Sequence, residues 1–138
     1  MTTPQYTLQV LAAYEGEVAG AAYFEALSLV HPQQAAFLEK CAALERATAG
    51  QLSALVRKYQ MVPRSHGALE ERGEFDARME NCRDWQDLLQ QSISSYTRYV
   101  AEFEALEAIG PAEDQAVLAA LTAHEIQLIE WIREETAS

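Results

Sequence analysis

The chain is expected to be all-α: a four-helix bundle built as two antiparallel helical hairpins joined by a long connection. Three observations predict this class. Apolar residues recur at three- and four-residue spacing over four long stretches. Good helix formers dominate, with only 6 Gly and 4 Pro in 138 residues. The strong helix breakers fall where turns are needed, at Val30-His31-Pro32, across residues 61–75, and at Gly110-Pro111.

The first predicted helix runs from about Pro4 to Leu29. Its apolar positions include Leu8, Leu11, Val18, Ala22 and Leu29, with Val10, Tyr14, Ala21 and Phe24 alongside. It stops at His31, because the residue before a proline is pushed out of helical geometry. Pro32 suits the first turn of the second helix. That helix reaches about Tyr59 and carries Phe37, Leu38, Cys41, Leu44, Thr48, Leu52, Leu55 and Val56 on one face. The segment MVPRSHGALEERGEF follows, with Pro63, Gly67, Gly73, scattered charge and weak periodicity. It reads as a connection with one helical turn around Ala68 to Arg72. Roughly fifteen residues could span about 50 Å if extended, so a crossover and a plain up-down-up-down path are both open. The third helix begins between Phe75 and Trp85 and ends at Gly110, with Leu89, Ile93, Tyr96, Val100, Phe103 and Leu106 inward. The fourth runs to about Glu135, with Val117, Leu118, Leu121, Leu128, Trp131 and Ile132 inward. Short turns make each consecutive pair antiparallel. By length, residues 1–138 form a single domain.

Composition excludes several classes of function. The net charge is −11 and no Lys/Arg cluster offsets it, so a nucleic-acid partner is not expected. No apolar run is long enough for a bilayer, and the N-terminus lacks the basic and apolar regions of a signal peptide. Cys41 and Cys82 lie far apart and match no metal or redox spacing, so reduced thiols and a cytoplasmic location are expected. No phosphate loop or nucleophile motif is present.

What stands out is glutamate inside apolar stripes. Glu17 lies among Tyr14, Ala21 and Phe24; Glu45 lies among Leu38, Cys41, Leu52 and Leu55. Each is about thirteen residues from the first turn, so in an antiparallel hairpin both reach one level, roughly 20 Å from that turn. Two ionised carboxylates at one level repel, so one must protonate, pair or bind a cation. On the fourth helix the inward positions step through His124 and Glu125, a comparable distance from the second turn. The matching level of the third helix falls near Tyr96, not at a carboxylate; Glu104 and Glu107 lie nearer the turn, with Glu107 on the inward line but off level.

With these residues placed, the chain resembles the ferritin-like superfamily, and rubrerythrin-type di-iron bundles in particular. GEVAGAAYF is similar to that family's first helix, with its Gly-Glu and an aromatic about two turns on. LEKCAALERATAGQL is similar to its Glu-x-x-His helix. A complete site takes one Glu from each of two helices and Glu-x-x-His from each of the other two. The resemblance maps Glu17 and Glu45 onto two of those glutamates. The di-iron motif is incomplete: Thr48 stands where a histidine should follow Glu45, Leu128 stands three residues after Glu125, and His124 precedes its glutamate. His31 and His66 fall at a turn and in the connection, where surface positions are expected.

Three functional readings follow. In the first, Glu17, Glu45, His124 and Glu125 hold one metal, a donor set suited to iron, manganese or zinc, in oxygen- or peroxide-linked redox work or metal handling. In the second, the site has decayed to a metal-free polar network, with Glu45 bonded to Tyr96 or Tyr99 and Glu125 to His124 or an arginine. The protein then acts without catalysis, through dimerisation or a protein partner. The third, a DinB-like metalloprotein, needs a histidine triad that this chain lacks. Alanine-rich stretches at Ala12-Ala13, Ala19 to Ala22 and Ala119-Ala120, read as outer faces, predict a homodimer through close helix approach. The aromatics Tyr14, Tyr23, Phe24, Tyr96, Tyr99 and Phe103 read as core packing, with a redox-relay tyrosine as the sharper alternative. Trp85 and Trp131 read as core or interface positions.

Overall fold

The computed structural model describes residues 2–137 and is all-α, with no strand among them. Five α-helices follow in order: α1 Pro4–Val30, α2 Ala35–Lys58, α3 His66–Arg78, α4 Trp85–Ile109 and α5 Gln115–Thr136. The chain separates into two compact units, one ending at Glu80 and the other beginning at Asn81.

In the first unit, Thr3 caps α1 by accepting from the Tyr6 N–H at 3.1 Å, and Pro4 occupies the first turn. The helix ends at the residue before Pro32, as expected, and a 3₁₀ turn at Pro32–Gln34 leads into α2. Tyr6 meets Tyr59 edge to face at 6.0 Å, which sets the start of α1 beside the end of α2 and makes the pair antiparallel. The buried stripe of α1 includes Tyr6, Val10, Ala13, Glu17, Ala21 and Phe24; that of α2 includes Leu38, Cys41, Glu45, Thr48, Leu52 and Leu55. Leu8 and Leu29, expected inward, are 59% and 84% exposed. Leu8 is two residues from Val10, which places it on the opposite side of a helix of 3.6 residues per turn.

Residues 61–75 carry more order than their composition suggests. Helix α3 occupies most of this stretch and extends to Arg78. Ser65 caps it, accepting from the Ala68 N–H at 3.1 Å. Leu69, Gly73 and Ala77, spaced by four, form its buried face, and Leu69 clusters with Val18 and Ala49 against Tyr14. Gly73 allows a very close approach to α1: a Cβ there would collide with the Ala19 carbonyl oxygen and lie 2.8 Å from the Tyr23 nitrogen and 3.0 Å from the Ala22 Cβ. Ala19, Ala21 and Ala22 are therefore buried rather than on an outer face. Their small size does serve helix approach, but the helix that uses Ala19 and Ala22 is α3 of the same chain. Just before α3, the buried Glu15 accepts from the Arg64 backbone N–H at 2.8 Å and from its Nη1 at 3.1 Å.

In the second unit, Asp84 caps α4 by accepting from the Asp87 N–H at 2.9 Å, and Asp87 Oδ2 accepts from the Arg83 N–H at 2.9 Å. That backbone donor lowers the Asp87 carboxyl below its ordinary range. A 3₁₀ turn at Ala112–Asp114 follows Gly110-Pro111. Gln115 Nε2 donates to the Glu107 and Gly110 carbonyls at 2.8 and 2.9 Å, capping the end of α4. Helix α5 buries Leu118, Leu121, Leu128, Ile129 and Ile132. Helix α4 buries only Leu88, Leu89 and Leu106; Ile93, Tyr96, Val100 and Phe103 are half-buried. Both cysteines are free thiols, Cys41 buried and Cys82 half-buried. Among the described residues, no helix is long and apolar enough to cross a membrane.

Candidate metal centre

In the first unit, the periodicity that builds the α1–α2 hairpin also turns Glu17 and Glu45 inward. Both are 5% exposed. Glu45 lies against Gly20 of α1: a Cβ there would lie 3.4 Å from both Cδ and Oε1 of Glu45, an ordinary contact distance. Thr48, at the position where a Glu-x-x-His motif needs its imidazole, is buried and donates its hydroxyl to the Leu44 carbonyl at 2.9 Å. It is satisfied by its own helix.

In the second unit, His124 and Glu125 are buried neighbours on α5. His124 Nδ1 contacts the Leu121 carbonyl oxygen, and Nε2 lies 3.3 Å from Glu125 Oε2. A carbonyl only accepts, so Nδ1 carries the proton. The neutral ring then presents the lone pair of Nε2 toward a carboxylate. Two acceptors facing each other need a proton on the ring or on the carboxyl, or a metal ion, between them. A ring nitrogen donating to a backbone carbonyl while the other is left for a metal is the usual posture of a ligating histidine. The Phe103 ring lies 6.2 Å from that of His124. Glu107 does not join these residues; its Oε1 accepts from the Thr122 hydroxyl at 2.9 Å. His66 is exposed and faces Glu70 at 4.0 Å, while His31 is half-buried at the first turn.

Glu17, Glu45, His124 and Glu125 form a buried group that could hold a metal ion. Each offers one ligand atom, and these atoms all lie within 4.8 Å of one another. Three carboxylates and one imidazole fit a borderline or hard divalent cation. Comparison with protein-family models, with curated proteins and with solved structures gives no match.

Proposed function

We propose that this chain is a ferritin-like helical protein whose carboxylate-rich centre holds one divalent transition ion, for redox work or metal handling. In this reading the two hairpins belong to one ferritin-like four-helix domain, with α3 within the connection. The observation that carries the reading is the convergence of Glu17, Glu45, His124 and Glu125 as buried donors. Bound iron or manganese would supply one-electron chemistry, and zinc would supply a Lewis acid. The chain's own residues do the rest. The Leu121 carbonyl fixes the His124 tautomer so that Nε2 faces Glu125, and the helices that carry the donors also bury Leu52 on α2 and Leu118 and Leu128 on α5.

A second reading rests on the His124–Glu125 contact. If the ring is doubly protonated, that 3.3 Å pair is an ion pair and the group is a metal-free polar network. The protein then works through a second copy or a protein partner. Metal analysis separates the two. Protein purified after growth with added iron, manganese and zinc is expected to carry about one ion per chain, and Glu45→Ala to carry none. Only trace metal in the wild type would overturn the metal reading. A rise in Tm for Glu45→Leu would then identify a network whose charge is only a cost.

A further inference from the structure

Helices α1, α2 and α3 of the first unit enclose a cleft of about 340 Å³, lined by none of the four buried donors. That volume lies within the range of small-molecule sites. The bed of the cleft is apolar and made of small side chains: Val18, Ala21 and Ala22 from α1 and Ala49 from α2, all buried. Tyr14, Val18 and Ala49 also pack with Leu69 of α3, so the bed is continuous with the core. Gly50 extends the bed along α2, and a Cβ there would meet nothing within 4 Å. No neighbour requires a glycine at this place in the helix, and its effect is to keep the cleft wide. The α3 wall is held in place by the seat of Gly73 on α1 and by the Glu15–Arg64 clasp, so the cleft is preformed.

The polar rim has more acceptors than donors. Arg46 on the α2 side is already paired with Glu25. Ser53 Oγ donates to the Gly50 carbonyl at 2.7 Å, which leaves its lone pairs. On the α3 side, Glu70 faces His66 Nε2 at 4.0 Å, beyond hydrogen-bond reach, and accepts no hydrogen bond among the described residues. The rim therefore presents a half-buried carboxylate beside an apolar bed, in a chain of net charge −11.

We propose that this cleft binds a small organic amine, its apolar body on the alanine bed and its ammonium group held by Glu70. Side chains no larger than valine leave a shallow, level bed, which suits a flat ring better than a branched chain. An ammonium group supplies the donors that the rim lacks, and a charge-assisted hydrogen bond to a carboxylate is stronger than a neutral one. An anion is disfavoured twice over: it would have to displace Glu25 from Arg46, and the field of the whole chain repels it. The site stands whether or not the buried carboxylate–histidine group holds a metal, because no residue is shared between them.

The test titrates the full-length protein with three indoles. Tryptamine carries the ammonium group, N-acetyltryptamine loses the charge, and indole-3-propionate carries a carboxylate instead. Calorimetry gives Kd, and amide NMR shifts locate the site. Tryptamine is expected to bind saturably, with shifts grouped at residues 14–25, 46–53 and 66–70, and both analogues to bind at least about tenfold more weakly. Glu70→Gln should weaken tryptamine by a similar factor at unchanged Tm. Gly50→Leu, whose side chain enters the open space of the cleft, should abolish binding without lowering Tm. Absence of saturable tryptamine binding overturns the proposal, as does equal or tighter binding of either analogue. Unchanged binding in a folded Gly50→Leu also overturns it. If that variant does not fold, Glu70→Gln decides, and unchanged tryptamine affinity there overturns the proposal.

Discussion

The two hairpins share a plan and differ in what they place inside. Each turns through a proline and a 3₁₀ segment: Pro32 opens Pro32–Gln34 in one, and Pro111 precedes Ala112–Asp114 in the other. In the first, both helices contribute a buried carboxylate, Glu17 from α1 and Glu45 from α2. In the second, α5 contributes both donors, His124 and Glu125, and α4 contributes rings. The first hairpin is also the more deeply packed, since α1 and α2 each bury long stripes while α4 is mostly half-buried or exposed. One hairpin plan can thus support symmetric ligands or a one-sided arrangement, depending on which residue types occupy the inward positions.

The contrast in packing can be broken by truncation. Leu52→Ala on α2, at a fully buried site, is expected to cost about 2–5 kcal/mol, while Val100→Ala on α4, half-buried, should cost about 1 kcal/mol or less. Equal losses in denaturant unfolding would erase the distinction between the hairpins. Next in size is Gly73→Ala. Its methyl group would meet backbone atoms of α1, so a loss of about 1–3 kcal/mol is expected. Gly16→Ala sharpens the point from the other side. Nothing lies within 4 Å of a Cβ there, so removing a helix-interior glycine should gain about 0.5–1 kcal/mol. The smallest effect belongs to Asp87→Asn at the start of α4. The folded state holds this carboxyl below its ordinary value of 3.8, so its contribution is fully present above that value. It disappears as pH falls through the lower folded value. A slightly lower Tm at pH 7 that converges with the wild type in strong acid is the expected pattern, read by thermal melts across pH.

Much of this was legible in the residues. The all-α class, the two proline turns and the inward direction of Glu17, Glu45, His124 and Glu125 all follow from spacing and breakers. Helix α3 was not, because its buried face is Leu69, Gly73 and Ala77. A search for large apolar residues passes over a stripe whose central member is glycine, although Ser65 as a cap and the four-residue spacing mark the helix. The role of Ala19 and Ala22 was misread for the same reason: without α3 in place, small residues on α1 look like an outer face. The convergence of the donors was legible only as a level along each helix. The posture of the His124 ring depends on where the Leu121 carbonyl points, and no spacing rule reports that.

The seat of Gly73 against α1 has a practical consequence for altering this chain. Residues 61–78 look like the natural place to splice in a tag or a reporter domain, being polar and rich in charge. They are among the worst. An insertion between Arg64 and Ala77 would pull apart the Glu15 clasp or push α3 off its glycine contact. The tolerant site is the non-helical Asn81-Cys82 step, exposed at Asn81 and half-buried at Cys82, where the second unit begins.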